Sequence, residues 1–197
     1  QQHHYLGDLS KIGHTLWYVA TYAGEWSALL SFSASAWKCG VRDRWIGWDF
    51  RHQFDRLNLI ANNSRFLILP EWHYPNLGSK VLSLCHQRIA GDWQTHFGQP
   101  LLLLETFVDR SRFHGTVYRA ANWTCLGLTR GFRRTREGYS VNAPSPKLFF
   151  ILPLQCDARA QISNPILNPI YRTGALNPYM DAHIFAKPSI YDLKKVK

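Results

Sequence analysis

An α/β or α+β domain, with one central mixed sheet flanked by helices, is the fold that this sequence predicts. Three observations predict it. The runs LLLLETFV (101–108) and KLFFILPL (147–154) have the length and apolar density of buried strands. Strand-like and helix-like segments alternate through the centre of the chain, as layers of helix on sheet require. At 197 residues and 46% hydrophobic, the chain can also bury enough surface to offset its conformational entropy in a single substantial core.

The elements follow in order. Asp8 is placed to cap a first helix running to about Ala20, with Ile12, Leu16 and Val19 on one face and Gly24 at its exit. WSALLSFSAS (26–35) alternates and predicts a strand. A turn region follows over 36–49, with Gly40 and Gly47 as breakers. Phe50, Phe54, Leu57 and Ile60 recur at helical spacing, which predicts a helix over 50–61 capped by Asp49 and closed by Asn62-Asn63-Ser64. RFLIL (65–69) is a short strand, PEWHYPN (70–76) a loop, and 77–89 a helix with Leu77, Val81, Leu84 and Cys85 inward. Residues 91–100 turn back into the strand at 101–108. A short helix over 110–122, a strand over 123–128 and the strand at 147–154 complete the domain, 1–157. Beyond Asp157 the texture changes. Three Asn-Pro steps push the chain out of helical geometry, which predicts an extended, Pro-rich C-terminal arm over 158–197 that docks its Ile, Leu and Tyr side chains on its own domain or on another protein.

Composition narrows the function. Lys and Arg number 23 against 13 Asp and Glu, a formal charge of +10, which favours a polyanion partner such as DNA or RNA. No apolar run approaches the roughly 18 residues that span a bilayer, and no basic amphipathic helix suggests a membrane surface. The opening QQHH lacks the charged-then-apolar order of a secretory leader and an initiator Met, which predicts a cytoplasmic protein and a truncated or processed piece. Cys39, Cys85, Cys125 and Cys156 lie far apart and form no C-x-x-C pair, so they are expected to be reduced packing residues, and no metal site is expected.

The basic residues fall into clusters interleaved with aromatics. Arg42, Arg44, Trp45, Trp48, Arg51 and Arg56 make one; Arg110, Arg112, His114 and Arg119 a second; Arg130, Arg133, Arg134 and Arg136, in TRGFRRTRE, the densest. Guanidinium forks grip phosphates and indole rings stack on bases, so these are the expected nucleic-acid contacts. Solvated arginines and core tryptophans are the bland alternative. Among carboxylates, Glu105 could act as a base if burial raised its pKa, and Asp109 follows it on the same strand. No carboxylate spacing is diagnostic of a metal-dependent nuclease, which stands as an alternative activity.

The segment FLILPEWHYPNLGSKVL (66–82) resembles the acyl-CoA pyrophosphate motif of the GCN5-related N-acetyltransferases (GNAT fold). There an Arg/Gln-x-x-Gly-x-Gly/Ala loop joins a strand to a helix; here those positions read His73, Asn76 and Gly78, two of the three differing. The resemblance implies a GNAT-like strand and helix order, a phosphate or acyl-CoA loop at Asn76, Gly78, Ser79 and Lys80, and Tyr118 as a general acid. An ordinary strand-to-helix turn reads the same residues equally well.

A second resemblance covers more of the chain. HYLG (4–7), AWKCGVRDRWIGW (36–48), NNSRFLILP (62–70), PNLGSKVL (75–82), ETFVD (105–109) and GTVYRAANWTCLGLTRG (115–131), in this order, resemble the DruA family of bacterial Druantia anti-phage systems, which is also found attached to transposases. It implies a role in phage defence or mobile-element biology, and other defence-system or transposase subunits as partners through the C-terminal arm. The family commonly has a further N-terminal region. The resemblance supplies no catalytic residues.

Overall fold

Residues 13–49, 52–131, 133–135, 138–140, 146–172 and 189–192 are described by a computed structural model, with backbone alone for 133–135, 138–140 and 189–192. The first described element is a hairpin, β1 (Thr15–Tyr22) and β2 (Glu25–Ala34), not the end of a helix. Tyr22 pairs with Glu25 across Ala23 and Gly24, whose φ values of 55° and 88° are what a two-residue hairpin turn demands. Leu16 and Val19 fit a helical stripe, but Leu16, Tyr18 and Ala20 also fit a period of two. The β-branched and aromatic content of TLWYVATY, plus the turn, decides for the strand. Asp8 and Ile12 of the expected helix lie outside the described residues.

The next segment also departs from expectation. Gly40 opens a helix instead of breaking one: α1 (Gly40–Ile46) ends on Gly47, in the left-handed region at φ 80°. The helix expected over 50–61 shrinks to α2 (Gln53–Arg56) and a 3-10 turn at Leu57–Leu59. Strand β3 (Ile60–Ile68) then begins five residues before the expected start at 65. α3 (Leu77–Phe97) runs straight through Gly91, where a turn was expected, and closes on Gly98. A lone glycine inside a helix costs only about 1 kcal/mol, which the packing of Ile89, Trp93 and Phe97 outweighs. β4 (Leu103–Val108), α4 (Thr116–Ala120) and β5 (Thr124–Leu128) follow, then the hairpin β6 (Arg133–Thr135) and β7 (Gly138–Ser140), and β8 (Leu148–Pro153).

After Asp157 the chain does not go straight into an extended arm. It forms α5 (Ala158–Ser163) and a 3-10 turn at Pro169–Tyr171, with Ala158, Ile162 and Leu167 buried. Arg56, itself buried, donates to the carbonyls of Ile162 and Pro165 at 2.7 and 3.2 Å and fastens this segment down. The expected arm over 173–188 lies outside the described residues, and β9 (Ser189–Asp192) pairs parallel to β1.

The sheet order is β5-β8-β4-β3-β2-β1-β9, mixed as expected, with helices on both faces. Alternation along β4 sorts the two cores. Leu104 and Val108 face α3 and α4; Leu103 and Phe107 face α1 and α5. α3 is pinned to the hairpin by Tyr18, whose hydroxyl donates to Asp92 at 2.9 Å, while Arg88 holds the same carboxylate from one turn away. Burial pushes the Tyr18 phenol up, so it stays a donor.

A pH-sensitive contact also lies on α3. His86 Nε2 accepts from Trp123 Nε1 at 2.9 Å, which requires a neutral ring, and burial pushes the imidazole down from 6.5 to about 4. The folded value is the depressed one. Its contribution is therefore complete above about pH 6.5 and lost as pH falls toward 4, amounting to about 3 kcal/mol. Urea titrations of wild type and His86→Gln between about pH 7 and pH 4 should show the wild type losing that much more stability. Parallel losses would refute it.

Candidate functional site

The directions of the strands decide which loops meet. β3 and β4 are parallel; β2 and β8 run antiparallel to them; β1 and β5 therefore share the direction of β3 and β4. The C-terminal ends of β1, β3, β4 and β5 lie at one end of the sheet, with the starts of β2 and β8. The loop 69–76, the first turn of α3, the segment 109–115 and the β5–β8 connection all emerge there.

At that end the sheet opens. β3 and β4 pair only from Ile60 to Asn62 against Leu103 to Glu105. Beyond this point they separate, and side chains close the gap. Thr106 donates to the Asn63 carbonyl at 3.0 Å, and the Tyr118 hydroxyl donates to Asn63 Oδ1 at 2.7 Å. Asn63 in turn donates to the carbonyls of Ser31 and Arg65, both at 3.1 Å. All three side chains are buried. This network is what a buried polar cluster needs to be stable, and it leaves the Tyr118 proton committed to Asn63.

Outside it lies a pocket of about 430 Å³ lined by Arg110, His114, Arg119, Leu128 and Leu148. Arg119 donates to the His114 carbonyl, and its guanidinium lies 5.1 Å from the Phe150 ring centre, which fixes its direction. Gly115, at φ 70°, lets the chain pass against Phe150 and start α4. Arg110, Arg112 and Arg130 are exposed, and Lys147, half-buried, is tied to Thr129 by paired strand-end bonds. Asp109 follows β4 at the start of the 109–115 segment, and Lys147 and Arg112 act on its charge. Bonds from the Ser111 hydroxyl and amide hold its carboxyl below the usual range.

The second basic cluster of the sequence is thus brought together. The first is not. Arg42 is fully buried between Glu105, at 3.1 Å, and Asp43, at 3.0 Å, and donates to the carbonyls of Ala36 and Trp37. Trp48 is buried beside it, with the guanidinium 5.6 Å from its ring centre. Neither can reach a nucleic acid, and Arg56 is committed to the α5 segment. Of that group Arg44 is exposed, and Trp45, half-buried, packs under Arg159. Arg51 and Arg136 lie outside the described residues; Arg133 and Arg134 are placed by backbone only, on β6. Charge alone did not reveal this, because the acid that claims Arg42 sits 63 residues away in the chain.

The expected catalytic trio is not assembled either. Glu105 points to the α1 face and Tyr118 packs on the α3 face, so the sheet separates them. Burial pushes Glu105 up while Arg42 and the Ala36 amide, at 3.0 Å, pull it down. Its oxygens are fully engaged, with no access to solvent. Asp109 is half-buried just beyond the strand end. In the loop, Asn76 sits in the left-handed region at φ 59°, Ser79 donates back to its carbonyl, and Lys80 is exposed. A Cβ on Gly78 would meet Val117 at 2.6 Å, so this glycine serves contact between α3 and α4. Among the described residues no group of three His, Cys, Asp or Glu side chains could hold a metal, and no helix is long and apolar enough to cross a membrane. No disulfide links the four cysteines, and burial pushes the Cys39 and Cys85 thiols up to about 11 and 12.

A feature missed in the sequence is aromatic. Tyr22, Trp72 and Tyr74 form one cluster, with ring centres 5.5 Å apart for Tyr22–Trp72, 5.8 Å for Trp72–Tyr74 and 6.4 Å for Tyr22–Tyr74. The available signal was the pair of aromatics in the Pro-bounded loop PEWHYP, too exposed a place for core residues.

A family model described as Druantia protein DruA matches residues 1–140. No curated protein matches the chain. Among solved structures, the chain is similar to an aminoglycoside acetyltransferase AAC(6')-Ib in complex with coenzyme A and kanamycin: 14% identity over 71% of this chain and 66% of that one, TM-score 0.46. It is also similar to the ribosomal-protein-S18-alanine N-acetyltransferase from Escherichia coli: 13% identity, 68% and 65% coverage, TM-score 0.40. An N-acetyltransferase from Staphylococcus aureus Mu50 gives 14%, 68% and 64%, TM-score 0.39. The chain spans just under two thirds of each of these three structures.

Proposed function

The chain belongs to the Druantia protein DruA family, and from that premise we propose that it is a nucleic-acid-binding domain of an anti-phage defence system, gripping phosphates at the open end of its sheet. The observation that carries the reading is that Lys80, Arg110, Arg112, Arg119, Arg130 and Lys147 all lie at that end of the sheet, with Arg110 and Arg119 lining the pocket beside His114. Among the described residues the acids at that end are Glu25, Glu71, Asp192, which stands opposite Thr21 in the register of β9 on β1, and Asp109, already engaged by Ser111. A guanidinium-lined concavity with an apolar floor suits a phosphate backbone, and the +10 charge of the whole chain steers a polyanion toward it.

The test is binding of the full chain to labelled DNA and RNA over a salt series. Six engaged cations predict a loss of affinity of about a thousandfold between roughly 50 and 200 mM salt. Arg110→Ala with Arg112→Ala should flatten the slope of log affinity on log salt by about two. Absent binding, or binding indifferent to salt, would remove the proposal.

A further inference from the structure

We propose that Tyr22, Trp72 and Tyr74 form a base-stacking platform for a single strand of nucleic acid, whose phosphates continue to the arginines at the end of β4. The inference rests on the nucleic-acid reading above and specifies its ligand. Tyr22 is 41% exposed and Tyr74 63%, and the half-buried Trp72 packs against both. Trp26, 55% exposed, stands in the same hairpin. Large aromatics clustered at a surface are unlike scattered exposed apolar residues and mark contact sites.

Order at the platform suits such a ligand, and so does the charge on the neighbouring strand ends. Glu25, paired with Tyr22, and Glu71, next to Trp72, keep phosphates off the rings themselves. The loop carrying Trp72 and Tyr74 is held at both ends: the Trp72 amide donates to the Leu69 carbonyl at 3.0 Å and the Leu77 amide to the Tyr74 carbonyl at 3.3 Å. Tyr22 comes from the hairpin end, so the rings are positioned before any ligand arrives. The platform lies at the ends of β1 and β3, and the cations at the ends of β4, β5 and β8, next in the sheet. Paired strands lie about 5 Å apart, and the gap that opens between β3 and β4 at this end adds to the distance between rings and guanidinium groups. A chain of alternating planar bases and phosphates spans that distance, whereas an acidic peptide has no use for the rings. Bases stacked within a duplex do not expose their faces, so the platform selects a single strand.

The experiment uses the full chain with fluorescein-labelled dT15 and rU15 at low salt, and a labelled 15-base-pair DNA duplex beside them. Tyr22→Ala with Tyr74→Ala should weaken binding of dT15 or rU15 by about tenfold or more. It should leave duplex affinity and the salt slope nearly unchanged. Tyr22→Phe with Tyr74→Phe, which keeps the rings, should bind as wild type. Which of dT15 and rU15 binds more tightly names the natural strand. If the alanine pair binds both strands as wild type does while Arg110→Ala/Arg112→Ala binds less, the platform is overturned and the phosphate site stands. If the alanine pair weakens duplex and single strands equally, the platform is again overturned. If wild type binds no nucleic acid, both readings fail.

Discussion

Glu105→Ala should destabilise the protein by about 3–5 kcal/mol, the cost of leaving a buried charge without its partner. Arg42 is fully buried. Burial works against its charged form, but Glu105 and Asp43 outweigh it, so the guanidinium is held charged. Removing Glu105 leaves Asp43 and the Ala36 and Trp37 carbonyls around that charge, and strips the Ala36 amide of its acceptor. Against a total of about 5–15 kcal/mol for a domain, the loss should bring the urea midpoint down steeply with the slope unchanged. Glu105→Gln, which keeps an acceptor for both donors, should cost less. Arg42→Met with Glu105→Leu should recover most of the loss, because a well-packed apolar pair often matches a buried ion pair. A Glu105→Ala protein within about 1 kcal/mol of wild type would mean that the carboxylate is not the structural partner of Arg42, and a catalytic role for it would be open again.

That pair also shows where sequence reasoning reached its limit. β4 and β8 were legible because their apolar runs admit no other element of that length. α3 was legible over its first half because Leu77, Val81, Leu84 and Cys85 share one face. Its second half was not, because the cost of Gly91 is local whereas the packing of Trp93 and Phe97 that offsets it is tertiary. β1 was lost because Leu16 belongs to two patterns, a helical one with Val19 and a period of two with Tyr18 and Ala20, and the turn that decides between them needs Ala23 in a left-handed conformation, which alanine seldom adopts. The same asymmetry governs the site. Arg110, His114 and Arg119 sit within one short segment, so proximity in the chain was proximity in space. Arg42 carries the same charge but is claimed by a strand distant in sequence, and Tyr22 meets Trp72 and Tyr74 only after the hairpin folds beside β3. Composition reports how much charge a chain has; only topology reports which of it reaches solvent.

The other large effect is expected at Gly115. Its φ of 70° already disfavours any side chain, at about 1–2 kcal/mol for alanine. The Cβ would also lie 2.6 Å from Phe150 Cε2. Phe150 is fully buried, with Tyr118 stacked 5.6 Å away on one side and Arg119 nearby on the α4 side, so the ring has nowhere to go. Overpacking of this kind adds about 1–3 kcal/mol, for a total of about 2–5 kcal/mol. Gly98→Ala is the matched control. Its φ is 64°, and nothing lies within 4 Å of the added Cβ, so it bears the backbone penalty alone. The gap between the two variants in urea titration therefore measures the Phe150 contact. The consequence should reach the pocket as well. If Phe150 keeps its place, α4 must shift, and Arg119 moves with it. Gly115→Ala should then lose nucleic-acid affinity under conditions where Gly98→Ala, equally strained in its backbone, binds as wild type does. Equal stability for the two variants would mean that α4 does not rest on Phe150, and the geometry assigned to Arg119 would fall with it.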